Sequence, residues 1–148
     1  MRSFEFLTVL LLACAFLQAP TVGAAPNDSV KLEVVPVPGT MHPGTRGIIE
    51  LRFSPADGIH INTTPAMAFS LDTGATVRLS GNPIVTADST TGYLVASTPV
   101  RQHITVPPDL RPGQHTVRGT VIFYYCSDNE GWCNRQKEPV EFTIFVKP

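Results

Sequence analysis

Beyond its first 25 residues the sequence has no apolar run long enough to cross a bilayer as a helix, so no integral membrane segment is expected there. Charge of one sign is missing too: 11 Lys and Arg face 12 Asp and Glu, for a net charge of −1, and the cations are scattered. Nucleic acid and anionic membranes both need a clustered positive field, so neither is an expected partner. Helical periodicity is absent after residue 25, and no segment repeats. Cysteine is scarce, at three residues, and none forms a Cys-x-x-Cys pair or a zinc-type spacing with His42, His60, His103 or His115. No serine lies in a Gly-x-Ser-x-Gly turn, so a serine hydrolase has no motif behind it. No metal and no cofactor is expected.

What is present starts at the N-terminus. Arg2 gives a short positive start, Phe6 to Phe16 is an almost unbroken apolar run, and small residues follow at Val22-Gly23-Ala24-Ala25. That is the pattern of a cleaved export signal, with cleavage after Ala24 or Ala25. Residues 1–25 are therefore expected to be removed and residues 26–148 to form one domain, periplasmic or secreted. Leu11-Leu12-Ala13-Cys14 offers an alternative, a lipoprotein anchored at Cys14. A cysteine in an apolar run is more often a small hydrophobe.

Alternation is the dominant pattern after the signal. Ile49, Leu51 and Phe53 alternate with Glu50 and Arg52, and Val140, Phe142, Ile144 and Val146 alternate with Glu141, Thr143 and Lys147. A period of two with one apolar face marks half-exposed strands. The breaks carry Pro38-Gly39, Pro43-Gly44, Pro55 to Gly58, Gly81-Asn82-Pro83 and Pro112-Gly113, which suit turns. Strands are expected near 30–37, 46–53, 58–62, 75–80, 93–97, 100–106, 114–126 and 139–146. The fold class is all-β: an immunoglobulin-like β-sandwich of roughly seven to nine strands, with a closed barrel as the alternative.

Once Cys14 leaves with the signal, Cys126 and Cys133 remain, and outside the cytosol such a pair is expected to form a disulfide. They flank the connection of an expected hairpin, where facing positions lie within disulfide range. Two readings stand at this point. One is a structural staple that stabilises by roughly 2–3 kcal/mol through closure of a short loop. The other is a couple that cycles between dithiol and disulfide, which requires access for an attacking thiolate. Around the pair, Asp128 and Glu130 either disfavour a nearby thiolate or keep the hairpin tip soluble. Trp132 either shields the disulfide or anchors the hairpin. His60 either assists thiol deprotonation or is an exposed strand histidine without a role.

Three stretches, in order, carry a resemblance: ADGIHINTTPA, TGYLVASTPVRQHITVP and YYCSDNEGWCNRQKEPVEFTI. Together they resemble the N-terminal periplasmic domain of the thiol:disulfide interchange protein DsbD and its relatives. The resemblance implies an immunoglobulin-like sandwich that relays electrons between thioredoxin-like partners, with Cys126 and Cys133 as the redox couple. It implies an aromatic cap over the disulfide at Tyr93 and a site lining at His60 and Asn62. Here His60 and Asn62 stand where the family has aromatics, and Asn134-Arg135-Gln136 stands where it has Tyr-Pro-Pro. The implied partners are thioredoxin-like proteins and a separate membrane electron-transfer protein. The alternative function is a non-catalytic extracytoplasmic binding or scaffold module whose disulfide never turns over.

Overall fold

Alternation decides which way each strand turns its side chains. In the computed structural model, which describes residues 28–148, Ile49, Leu51 and Phe53 are buried and Arg52 is exposed. Their strand, β3 (Arg46–Pro55), lies between β1 (Val30–Val37) and β7 (Val100–Thr105), and β6 (Arg78–Ile84) completes a sheet of order β1-β3-β7-β6. A second sheet runs β2 (Thr40–Met41), β9 (Cys133–Val146), β8 (Gly113–Ser127) and β4 (Ile59–Asn62). β5 (Ala68–Leu71) pairs with β8 further along the same edge as β4. All neighbours are antiparallel except β2 and β9. With β4 and β5 as two halves of strand C, the sheets are A-B-E-D and C-F-G with a short extra strand beside G. This is the immunoglobulin-like arrangement. Two distinct sheets exclude the closed barrel.

The inner faces meet in one core. Val100 and Ile104 of β7, Val117, Val121 and Phe123 of β8, and Phe142 and Ile144 of β9 are all buried there. Phe53 and Phe123 touch across the sheets edge to face, with ring centroids 5.1 Å apart.

Several expected boundaries need correction. Residues 93–97 form no strand: Tyr93 and Leu94 make only isolated bridges, to Asn62 and Ala87. β6 is displaced from 75–80 to Arg78–Ile84 and carries a register shift between Ser80 and Ile84. β2 and β5 were not expected, being two and four residues long. β9 starts at Cys133 rather than 139, because polar Asn134 to Glu138 and Pro139 hide a strand from a hydrophobicity pattern. Pro139 is tolerated for a geometric reason. Odd-numbered residues of β9 direct their nitrogens away from β8, as Phe145 does in donating to Gly39 O at 3.0 Å. The missing N–H of Pro139 thus falls on the outer edge of the strand.

One core position is polar. Gln102, on β7, is fully buried, and its Nε2 donates to the carbonyls of Ser80, Gly81 and His103 at 3.2, 3.1 and 2.9 Å. It fills the place where the β6 register shift withdraws the ladder partners. Gln102→Leu should cost about 1–3 kcal/mol, because the carbonyls lose a buried donor. Urea denaturation reads the loss, and amide exchange should localise it to β6.

Candidate functional site at the disulfide end of the sandwich

The outer face of the second sheet follows from the same period of two. Val121, Phe123 and Tyr125 of β8 point into the core, so Tyr124 and Cys126 point out. Cys126 lies directly opposite Cys133 of β9, and the two form a disulfide with Cα atoms 4.0 Å apart. Ser127 N–H donates to Trp132 O at 2.9 Å, so Cys126 and Cys133 are a non-hydrogen-bonded pair, the type that brings side chains closest. On the other side of β8, His60 lies opposite Cys126 and Asn62 opposite Tyr124. One row across three strands therefore reads His60, Cys126, Cys133, and the next reads Asn62, Tyr124, Arg135.

The two sulfurs have different surroundings. Cys126 is 6% exposed, whereas Cys133 is an exposed residue. Asn62 Nδ2 donates to Cys126 Sγ at 3.1 Å. A donor at that sulfur stabilises negative charge on it. His60, with its side chain 14% exposed, has Nδ1 2.8 Å from Asp128 Oδ1. The contact is at ion-pair distance but lacks the alignment of a hydrogen bond. The imidazole also stacks on Tyr93, centroids 3.6 Å apart and planes 14° from parallel.

Tyr93 is delivered there by a tied loop. Asp88 accepts hydrogen bonds at Oδ1 from the backbone N–H groups of Thr91 (2.8 Å) and Thr90 (2.9 Å) and from the Thr91 hydroxyl (3.1 Å). In that order, they hold its carboxyl below the usual carboxylate range. Asp88 N–H donates to Tyr93 O, and Leu94 N–H donates to Ile61 O, both at 2.8 Å, which fastens the loop along β4. Tyr93 stands between two clefts, one of about 360 Å³ that includes His60 and Asp88, the other of about 260 Å³ that includes Asn62 and Thr63.

Of the residues singled out in the sequence, Cys126, Cys133, His60, Asn62 and Tyr93 come together. Trp132 does not join them. It packs edge-on against Tyr125, centroids 5.7 Å apart, on the inner side of the hairpin, and its Nε1 donates to Glu130. Of its two alternatives it takes the anchoring one. His42 and His115 bond the carbonyls of Pro148 and Arg111, each at 2.8 Å, and His103 pairs with Ile48 on the outer face of the other sheet. Among the described residues, no three His, Cys, Asp or Glu side chains gather as metal ligands. Two neighbours went unremarked in the sequence: Tyr124, two residues before Cys126 on the same face, and Arg135, two after Cys133. Period two would have found the first. The second needs the register of β9. The export segment 1–25 and Cys14 lie outside the described residues.

No protein-family model matches the chain, and no curated protein does. Among solved structures, AggA, the major subunit of aggregative adherence fimbriae type I from Escherichia coli, aligns over 83% of this chain and 98% of that chain. The identity is 15% and the TM-score 0.38, too faint a likeness to inform fold or function. No helix among the described residues is long and apolar enough to cross a membrane.

Proposed function

We propose that this is an exported thiol:disulfide interchange domain, which passes two electrons at a time through Cys126–Cys133 to or from thioredoxin-like partners. A membrane electron-transfer protein would supply or drain them. The observation that carries the reading is the asymmetry of the disulfide: an exposed Cys133 bonded to a buried Cys126 whose Sγ already receives an N–H from Asn62 at 3.1 Å. A partner thiolate attacks the accessible sulfur, Cys133, forming a mixed disulfide and expelling Cys126 as a thiolate. The Asn62 amide stabilises that leaving group. A second partner thiolate then attacks the partner's sulfur in the mixed disulfide, so that Cys133 leaves, the domain is the dithiol and the partner is oxidised. Tyr93, tied by the Asp88 loop and stacked on His60, serves as the cap that limits access by stray thiols. Export supports the reading as well, since the signal pattern and the paired cysteines fit an oxidising compartment.

The test is covalent capture. Cys126→Ala leaves the exposed thiol of Cys133 and should trap a thioredoxin-like protein as a mixed disulfide, seen on non-reducing gels and released by reductant. Cys133→Ala leaves only the buried thiol and should trap at least about tenfold less, since exchange depends on access. Equal capture by both variants would refute the assignment of Cys133, and capture by neither would favour the scaffold.

A further inference from the structure

We propose that His60 and Asp128 act with Cys126 as a proton-transfer unit. His60 takes the Cys126 proton when that thiol attacks a mixed disulfide at Cys133, and Asp128 orients the imidazole. The inference rests on the interchange reading and extends it to the group that moves the proton.

The step closes in atoms and electrons. In the mixed disulfide, Cys133 Sγ is bonded to the partner's sulfur and Cys126 is a free thiol. Its proton passes to His60 while its sulfur attacks Cys133 Sγ. The Cys126–Cys133 bond forms, the partner's bond to Cys133 breaks, and the partner leaves as a thiolate with the electron pair. The domain is oxidised and the partner reduced. The imidazolium then returns its proton to solvent or to the departing thiolate.

Three observations carry the assignment. First, register sets His60 directly opposite Cys126 on the same outer face, where directly opposed side chains interact. Secondly, Asp128 Oδ1 stands 2.8 Å from His60 Nδ1, which leaves Nε2 as the nitrogen for the sulfur's proton. Thirdly, the ring is set among acidic and aromatic neighbours. The groups beside His60 are Asp128 from the hairpin, Tyr93 from the 85–99 loop and Cys126 from β8, and Asp88 of the same loop lines the cleft that His60 lines. Two are carboxylates, one offers an aromatic face at 3.6 Å, and none is a cation. A structural strand residue needs none of this. A His side chain 14% exposed, whose buried nitrogen meets only an off-line carboxylate, is costly packing for a strand residue without a role.

The experiment starts from chemically reduced domain and a chromogenic disulfide, 5,5′-dithiobis(2-nitrobenzoate). Attack by Cys133 releases one nitrothiolate, and attack by Cys126 on the resulting mixed disulfide releases the second. His60→Gln should slow the second phase at pH 7 by about tenfold or more, at the low end of what general base catalysis contributes. The first phase should stay within about twofold of wild type, because Cys133 does not use His60. The slowed phase should rise steadily with pH, as it then depends on spontaneous thiol ionisation. Added imidazole should restore it in His60→Ala. Asp128→Asn, at an exposed hairpin position, should give an intermediate rate and carries the test should the His60 variants fail to fold. A second phase unchanged in rate and pH profile in these variants overturns the proposal. A slowed one without imidazole rescue or a changed profile overturns it too, since packing alone would then account for it. Because the assay needs no protein partner, a failed capture experiment and a failed proton assay are separate results.

Discussion

Gly119→Val should cost at least about 3 kcal/mol, more than half the stability of a domain near the lower end of the usual range of about 5–15 kcal/mol. Gly119 sits in β8 where β5 crosses close beside it. A Cβ built there would lie 2.4 Å from the carbonyl oxygen of Ser70 and 3.2 Å from both Leu71 Cδ2 and Phe69 Cε2. The near obstacle is backbone, so no side-chain rotation relieves it. Relief requires β5 to peel from β8, which breaks the pairing of Phe69, Ser70 and Leu71 with Val121, Thr120 and Gly119. Peeling also withdraws Phe69 from the core. Even Gly119→Ala meets the clash. Urea denaturation followed by circular dichroism measures the loss. A valine variant with an unshifted midpoint would mean that β5 is not held as described.

How much of this was legible beforehand differs from strand to strand. β3 was readable because Ile49, Leu51 and Phe53 all face one core while Arg52 faces water, so burial and sequence share a period. The N-terminal half of β9 was not. Among the described residues its outer edge has no strand partner until β2 meets Phe145, and such an edge favours polar residues and proline over an apolar stripe. β5 was invisible for another reason: four residues held in place by a glycine far along the chain leave no local signal. Around the disulfide, the cysteines, His60, Asn62 and Tyr93 stood out through chemistry and resemblance, and the fold sets them near one another. The contact of His60 with Asp128 depends on the pairing of β8 with β4 running one step past both strands, where Asp128 N–H donates to Gly58 O at 2.9 Å. No local pattern specifies that. Trp132 shows the converse hazard: beside a cysteine it left shield and anchor equally open, although alternation sets it on the face opposite the disulfide, against Tyr125.

Dithiothreitol should reduce Cys126–Cys133 in the folded domain, at a rate that stays flat as urea is raised until the unfolding transition begins. The reason is access: Cys133 is exposed at the sandwich end, and attack there needs no strand to separate. A staple behaves differently. If the sulfurs could be reached only after global unfolding, reduction would be slowed by the ratio of folded to unfolded molecules, about a thousandfold or more at a stability of about 5 kcal/mol. Its rate would then climb with every increment of urea. Tyr93→Ala should speed the flat, native-state reaction, since the ring that stacks on His60 is removed while the backbone bridge to Asn62 and the hydrogen bonds of the Asp88 turn remain. The same variant should hardly move the urea midpoint, because Tyr93 lies outside the core. A reduction potential above about −300 mV would agree with a couple that turns over. A disulfide inert to dithiothreitol below the unfolding transition, in wild type and in Tyr93→Ala alike, would instead mark the hairpin as a covalent clip on a binding module.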